Sequence, residues 1–198
     1  MAKTYHMTDE TKQEAGHEVH RIVATKGNRW AESGTIGGWI ENENNLEDGA
    51  WVADEACVYG DARVYGNTLV EDNAKVYGNV HFHGTENAPA ILSFDRILHG
   101  GDWTEAPYAQ MCGDWTAQIT SPDTFRIGCQ DHSFERWKTS YRAIMRYCMK
   151  IAPVDGNTIK EVVEAYNKCC SKYMKHEYTA DLDHILIEYK KRIDYQTV

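Results

Sequence analysis

Between residues 40 and 82 a large apolar side chain returns at every sixth position without a gap. The eight positions are Ile40, Leu46, Val52, Val58, Val64, Val70, Val76 and Phe82. The residue two places before each is mostly small, and a pair rich in Gly, Asn and Asp follows two and three places after. A period of six matches neither the 3.6 of a helix nor the 2 of an open strand. It is typical of a chain wound around a triangular prism, with one wall and one corner for every six residues.

In such a prism the large apolar column fills the interior, and Gly, Asn and Asp tolerate the left-handed backbone that a corner requires. Eight units at three to a coil make about 2.7 coils, which we assign to residues 37–84. A solenoid this short exposes an apolar end and unpaired strand edges, so it needs caps or partners.

The segments that flank the prism lack this period. Partial alternation in residues 3–8 and 18–24, with Gly16 between them, predicts two short strands, so residues 1–36 are expected to form a cap. We expect the histidines of this cap, His6, His17 and His20, to be exposed, with metal binding as the alternative. Residues 85–107 are interpreted as a connection with one further strand near residues 90–94.

Residues 108–198 are expected to form a separate block of two strands and three helices. Residues 114–120 and 124–129 are rich in strand formers and are separated by Ser121-Pro122-Asp123, a turn signal. An apolar stripe from residue 134 to 151 predicts a helix with Ser133 as its N-cap. Thr158 and Glu161 have the spacing of a capping box for a second helix, and a third is predicted at residues 181–193.

The acidic residues are concentrated on the prism. The whole chain has a formal net charge of −9, and residues 36–84 carry nine acids against Arg63 and Lys75, which leaves −7. A surface that reads duplex nucleic acid is basic, so this class of partner is excluded. The six cysteines show no paired framework, and neither a signal peptide nor an apolar run near 18 residues is evident. We therefore expect a cytoplasmic protein with no membrane contact.

Several large side chains next to the apolar column are expected to point outward and form a contact surface. They are Trp39, Trp51, Tyr59 and Tyr65. With Arg63 and Lys75 they could stack on a ring or hold a phosphate. The alternative is that they pack against the C-terminal helices or a second copy of the chain.

Two places in the chain carry candidate chemistry. His81 and His83 flank Phe82 and face outward, which makes them weak candidates for a general base, with a metal site or an ordinary surface role as alternatives. Cys129 and His132, with Cys112 upstream, lack the second ligand pair that zinc requires, so neither a metal nor a cofactor is predicted. A small ligand pocket at Arg126, His132 and Trp137 is the alternative to a packing role there.

The prism sequence resembles a group of uncharacterised phage and prophage hexapeptide-repeat proteins, whose repeat is like that of hexapeptide acyltransferases. The residues that carry the resemblance are Val58-Tyr59-Gly60-Asp61-Ala62-Arg63, Val64-Tyr65-Gly66-Asn67, Val76-Tyr77-Gly78-Asn79, Gly37-Gly38-Trp39-Ile40-Glu41 and Asn45-Leu46. The match covers about residues 3–84 and, more loosely, 115–137. It implies a mainly β protein with a helical C-terminal part, built on a short left-handed parallel β-helix that an N-terminal strand pair caps.

The resemblance and the residues together favour a non-enzymatic accessory protein of a phage or mobile element. We expect it to bind a host protein or a small nucleotide-like ligand in the host cytoplasm and to counter a host defence system. The alternatives are a coenzyme A-dependent hexapeptide acyltransferase with His81 or His83 as base, and a structural component for assembly. Prisms of this kind commonly associate around symmetry axes, so we also predict a homo-oligomer, trimer first and dimer second.

Overall fold

A computed structural model describes residues 3–47, 49–151 and 156–173 of the chain. The chain divides into two compact units, Met1–Pro107 and Tyr108–Val198. The protein is mainly β, with fourteen strands and two helices among the described residues. The predicted fold class is therefore confirmed.

Short strands make up the first unit. They are β1 (Tyr5–Glu14), β2 (His17–Ala24), β3 (Ile36–Ile40), β4 (Trp51–Val52), β5 (Cys57–Val58), β6 (Arg63–Gly66), β7 (Thr68–Val70), β8 (Lys75–Gly84), β9 (Ala90–Leu92) and β10 (Ile97–Trp103). A 3-10 turn at Glu43–Asn45 follows β3, and Asn42 caps it by accepting a hydrogen bond from the Asn44 amide.

From β3 onward the strands pair in parallel and build a solenoid with three walls. The first wall runs through Ile40, Val58, Val76 and Leu98, the second through Leu46, Val64, Phe82 and Trp103, and the third through Val52, Val70 and Leu92. Ile40 pairs with Val58, 18 residues further on, so each coil contains three units of six. All eight apolar column residues are 0% exposed, as expected for a column that fills the interior.

The solenoid is longer than the sequence pattern indicated. It makes about four turns rather than 2.7, because β9 and β10 pair in parallel with β7 and β8. Residues 85–107, interpreted above as a connection, therefore extend the solenoid to Trp103. Leu92 lies ten positions after Phe82 instead of six, and a turn closed by hydrogen bonds between Thr85 and Ala88 takes up the four extra residues. The hand of the winding stays a prediction.

One corner of the solenoid has a left-handed backbone in successive coils. Asp54, Asp72 and Phe94 occupy it with φ of 53°, 58° and 61°. The Asp72 amide donates to the Asp54 carboxylate at 3.2 Å, and the Phe94 amide donates to the Asp72 carboxylate at 2.9 Å. Aspartate tolerates this backbone conformation, and its carboxylate accepts a hydrogen bond from a backbone amide of the next coil. Both properties explain its recurrence at the corner.

The N-terminal strand pair caps the solenoid, as predicted. Strands β1 and β2 form an antiparallel hairpin, and β2 extends the first wall by pairing antiparallel with β3. At the start of the hairpin, the Lys3 ammonium and the Tyr5 hydroxyl both donate to the Leu46 carbonyl, at 2.7 and 2.8 Å. These bonds satisfy backbone acceptors that the end of a solenoid would otherwise leave open.

The second unit combines a four-stranded antiparallel sheet with the two helices. Its elements are β11 (Ala109–Cys112), β12 (Trp115–Ser121), β13 (Thr124–Ile127), β14 (Gln130–Ser133), α1 (Phe134–Ile151) and α2 (Gly156–Tyr173). The Ser133 hydroxyl accepts from the Arg136 amide, which confirms Ser133 as the cap of α1.

The start of α2 differs from the prediction. The helix is already formed at Gly156, so Thr158 lies within its first turn, and the Glu161 carboxylate accepts from the Gly113 amide instead of closing a capping box. The helix predicted at residues 181–193 lies outside the described residues. Neither described helix is long and apolar enough to cross a membrane.

Candidate functional site

The residues expected to bind a ligand, and the two weak candidates for a general base, His81 and His83, fall into separate groups. Trp39, Tyr59 and Lys75 lie on the first wall; Trp51 lies in the solenoid core; Arg63, Tyr65, His81 and His83 lie on the second wall; and Arg126, His132 and Trp137 lie in the second unit.

On the first wall the aromatic side chains are covered. Trp39 and Tyr59 point out of the interior, but each is only 4% exposed, because both pack with Val19 of the hairpin. The Tyr59 ring stacks on Tyr77, with centroids 5.0 Å apart and planes 7° apart, and it also contacts the His17 ring. Burial raises the pKa of Tyr59 above its ordinary value. The expectation that these two rings are exposed is therefore wrong.

Ionic contacts hold the hairpin against this wall. The Glu55 carboxylate accepts from Arg21 at 2.8 Å, from Lys12 at 3.0 Å and from the indole of Trp39 at 2.9 Å. Hydrogen bonds from Arg21, Lys12 and Trp39, the first being the strongest, lower the pKa of Glu55 to about 2. The Arg21 guanidinium also lies 3.9 Å from the centroid of the Trp39 ring, a cation–π geometry.

Two further ion pairs act in the same way at the tip of the hairpin. Lys75 donates to Glu14 at 2.6 Å, so the ammonium expected to hold a ligand is occupied by the cap. His17 contacts Glu41 at 3.0 Å, and the other oxygen of Glu41 accepts from the Gly60 amide at 2.7 Å. The pKa of Glu41 is lowered, chiefly by its hydrogen bond to His17.

Trp51 was also expected to be exposed and is buried in the solenoid core with Ile22 and Val52. A Cβ at Gly37 would meet the Trp51 ring at 2.5 Å and the Ile22 side chain at 2.7 Å. The missing side chain at Gly37 therefore makes room for the indole, and Trp51 acts as a core residue.

The second wall carries a group of polar and aromatic side chains that the hairpin does not bury. Strands β6, β8 and β10 place Arg63, His81 and Asp102 side by side in successive coils, and Tyr65 pairs with His83. Val64 and Phe82 between them point inward, so these flanking side chains point outward. We call these five residues the imidazole face.

His83 is the centre of the imidazole face. Its Nε2 lies 3.0 Å from a carboxylate oxygen of Asp102, and the Tyr65 ring stacks on its imidazole with centroids 4.6 Å and planes 10° apart. The His81 ring stands edge-on to Tyr65 at 6.3 Å and 78°. When Nε2 carries the proton that Asp102 accepts, Nδ1 of His83 retains its lone pair and can act as a base or an acceptor.

Two side chains of the imidazole face, Arg63 and His81, are exposed. Within the described part of the chain, the Arg63 guanidinium makes no hydrogen bond or ion pair, and neither does the exposed His81 ring. Burial, with the charges of Asp102 and Glu47, raises the pKa of Tyr65, so its hydroxyl stays neutral and able to donate. The face thus offers an unpaired guanidinium, two imidazoles and a stacked aromatic pair.

Asp102 is the member of this face that sequence reasoning missed. It lies 21 residues after its neighbour His81, not 18, and it follows the segment where the period of six is lost. Leu92 and Leu98 are again six apart, and this spacing was the signal that could have shown the solenoid continuing toward Asp102.

In the second unit the predicted residues make internal contacts. The Arg126 Nε donates to the Gly128 carbonyl at 2.6 Å, and His132 contacts Gln130 at 3.2 Å. Trp137 is 2% exposed, and its indole donates to the Phe125 carbonyl. Burial, followed by the charge of Arg136, lowers the pKa of His132. This geometry is that of packing, and a ligand at these three residues stays a prediction.

The cysteines do not converge with histidine in the described residues. Cys112 is buried while Cys129 is exposed, and no three His, Cys, Asp or Glu side chains among the described residues are placed to hold a metal ion together. Cys57, Cys112, Cys169 and Cys170 are buried free thiols, as expected for small apolar residues, and burial raises the pKa of each.

No protein-family model matches this chain, and no curated protein is significantly similar to it. The resemblance to phage hexapeptide-repeat proteins therefore stays a prediction.

Proposed function

We propose that this protein is an accessory protein of a phage or mobile element that acts by binding a small nucleotide-like ligand at the imidazole face. The observation that carries the proposal is that Arg63, which has no hydrogen-bond or ion-pair partner among the described residues, lies beside a stacked tyrosine–histidine pair on an acidic solenoid. Arg63 would hold a phosphate, and a planar ring would lie against Tyr65 and His83. The sequence resemblance favours a role in countering a host defence system by sequestering such a ligand.

The combination of these groups supports the proposal more than any one of them. A lone exposed arginine is ordinary on a protein surface. Here, however, residues 36–84 carry nine acidic residues, and Lys75, the other cation in this range, is paired with Glu14. Guanidinium binds phosphate in a bidentate geometry, imidazole adds a donor, and aromatic faces stack on rings. These three properties meet within one wall of a rigid solenoid.

Exposure favours binding over catalysis. Arg63 and His81 are exposed, and Asp102 is more exposed than buried, with 68% of its side chain accessible. Electrostatic stabilisation of a transition state is strongest in a site that excludes water. An open wall can select a ligand but contributes little to lowering a reaction barrier.

Mass spectrometry of material copurified from host lysate, under native and denaturing conditions, tests the proposal. The chain is compared with Arg63→Gln and with Arg29→Gln, an exposed arginine of the N-terminal cap, as the matched control. We expect the chain and the control to release the same small molecule with a phosphate and a ring, and Arg63→Gln to release none. Retention of that molecule by Arg63→Gln contradicts the proposal, and a copurified host protein in its place would make a protein the ligand.

The contact between His83 and Asp102 favours a second candidate, acyl transfer from coenzyme A. Nδ1 of His83 would take the proton of an acceptor hydroxyl or amine as that group attacks the thioester, and the proton would pass to the leaving thiolate. Asp102 would hold the imidazole in the required tautomer. Thiol release from acetyl-coenzyme A that is lost in His83→Gln would support this activity, and activity that survives His81→Ala with His83→Ala would place the base elsewhere.

We also propose that the chain forms a homo-oligomer, trimer first and dimer second. Support comes from the last coil of the solenoid, where Ile91 and Phe94 are exposed apolar side chains. Apolar patches of this kind are common at protein interfaces. Light scattering at micromolar concentration checks the assembly, and a single 22.6 kDa particle contradicts it.

A further inference from the structure

The charges around the imidazole face are nearly balanced when its histidines are neutral. Arg63 on β6 supplies one positive charge, Asp102 on β10 supplies one negative charge, and Glu47, which follows the bridge between Leu46 and Val64, supplies another. Tyr65 is neutral because its pKa is raised. Counted with its neighbour Glu47, the imidazole face then has a net charge of −1 among the described residues, which opposes an anionic ligand.

Protonation of the two histidines reverses this sign. Histidine is the side chain that changes its charge between about pH 5 and 8. With His81 and His83 both protonated, the same five residues and Glu47 together carry a net charge of +1. His81 then stands next to Arg63 in the pairing register, so two cationic groups lie side by side on neighbouring coils.

Geometry also links the protonation of His83 to ligand binding. Asp102 contacts Nε2 of His83 at 3.0 Å, and Tyr65 covers one face of its ring. Nδ1 has no partner in the described part of the chain. A protonated His83 therefore keeps its contact with Asp102 and presents a second N–H to a ligand.

We infer that the imidazole face binds a monoester anion, a phosphate or sulfate ester, together with protons on His81 and His83, and releases the anion as the pH rises. This inference rests on the proposed function and adds to it the class of ligand and the control of binding by pH. Arg63 provides the permanent charge, and the two imidazoles provide the charge that pH removes.

The expected size of the effect follows from Coulomb's law. A unit charge about 6 Å from a singly charged anion in water changes its affinity about threefold, so two such charges change it about tenfold. Two protonated histidines together should tighten binding about tenfold between pH 8.0 and pH 5.5.

Isothermal titration calorimetry with adenosine 5′-sulfate tests the inference. This sulfate ester keeps one negative charge from pH 5.5 to 8.0, so a change of affinity with pH arises from the protein. We expect the dissociation constant of the unmodified chain to be about tenfold lower at pH 5.5. Arg63→Gln should weaken binding at both pH values with the ratio retained, while His81→Gln with His83→Gln should bring the ratio close to one.

Controls separate titration of the face from general effects. His6→Gln removes an exposed histidine of β1 and should leave the tenfold ratio unchanged. Asp102→Asn removes a negative charge and should tighten binding at pH 8.0 about threefold. Equal urea midpoints for all variants would show that each is folded.

The inference is overturned if adenosine 5′-sulfate does not bind at millimolar concentration at pH 5.5, if its affinity is equal at both pH values, or if the double histidine variant keeps the ratio. Its failure is distinct from failure of the proposed function. A copurified ligand that depends on Arg63, with no binding of the sulfate ester, defeats the inference alone. Binding of the ester with the expected pH ratio, with nothing copurified, defeats the proposed function alone.

Discussion

Tyr59 and Tyr65 occupy the same place in two consecutive repeats, Val58-Tyr59-Gly60 and Val64-Tyr65-Gly66, yet they have different roles. Tyr59 on the first wall is 4% exposed and lies beneath the N-terminal hairpin, whereas Tyr65 on the second wall is only half-buried. The repeat decides that both rings point outward. Whether an outward ring becomes core or surface depends on a hairpin from another part of the chain.

The charged residues of the two walls differ in the same way. On the first wall Lys75 is paired with Glu14, and the Glu55 carboxylate forms ion pairs with Lys12 and Arg21. On the second wall the Arg63 guanidinium is without a partner among the described residues. Charges under the hairpin are therefore used for docking, while the Arg63 guanidinium on the second wall is not.

Replacing each tyrosine by alanine should give the largest difference in stability loss between the two walls. Tyr59→Ala removes a buried ring stacked on Tyr77 and leaves a cavity, so we expect a loss of about 3–5 kcal/mol in the free energy of unfolding. Tyr65→Ala removes a half-buried ring and its stacking on His83, with an expected loss of about 1 kcal/mol. Urea unfolding followed by circular dichroism measures both losses. Equal losses would contradict the distinction between the first wall, which the hairpin covers, and the second wall, which it does not.

Alanine substitution of the glycines that follow the two tyrosines should reverse this order, with the larger stability loss on the second wall. Gly66 has φ of 65°, and a Cβ there would lie 2.5 Å from the Gly84 carbonyl oxygen; at Gly60, with φ of 67°, the nearest atom would be the Gly78 nitrogen at 3.3 Å. We expect Gly66→Ala to cost about 2–3 kcal/mol and Gly60→Ala about 1–2 kcal/mol. On the second wall, the unfolding free energy is then more sensitive to a Cβ at Gly66 than to loss of the Tyr65 ring.

Gly16 provides the control for this pair. It has φ of 90°, but within the described part of the chain no atom lies within 4 Å of the position that a Cβ would take. Gly16→Ala therefore measures backbone strain alone, and we expect about 1 kcal/mol. If it costs as much as Gly66→Ala in urea unfolding, contact between coils is not what makes Gly66 sensitive.

The parts of the fold that sequence could predict are those set by local pattern. The buried column, the hairpin and helix α1 each follow from spacing within a continuous stretch, and all three are confirmed. The solenoid after Phe82 was missed because four extra residues in one corner shift the phase of the repeat. Pairing between coils survives such an insertion, since a corner can enlarge without moving the walls.

The candidate site could be predicted only in part for a related reason. Arg63, Tyr65, His81 and His83 came from the regular repeat, and the structure brings them together. Asp102 lies beyond the insertion, so its pairing position in the solenoid could not be predicted from the period of six. The burial of Trp39 and Tyr59 depends on docking of the hairpin, and nothing in their own repeats distinguishes them from Tyr65.

The smallest expected effect concerns how the hairpin is attached. Glu55→Gln weakens the contacts with Arg21 and Lys12. Because the Glu55 side chain is 53% exposed, solvent screens these contacts, and we expect a loss of about 1 kcal/mol at neutral pH.

This loss should depend on pH in a defined direction. The pKa of Glu55 is lowered from 4.5 to about 2, so its stabilising contribution is complete above about pH 4.5 and is lost as the pH falls toward 2. The difference in unfolding free energy between the unmodified chain and Glu55→Gln should disappear over that interval. In these urea titrations, a difference that stays constant from pH 4.5 to pH 2 would mean that the contacts of the Glu55 carboxylate do not hold the hairpin against the first wall.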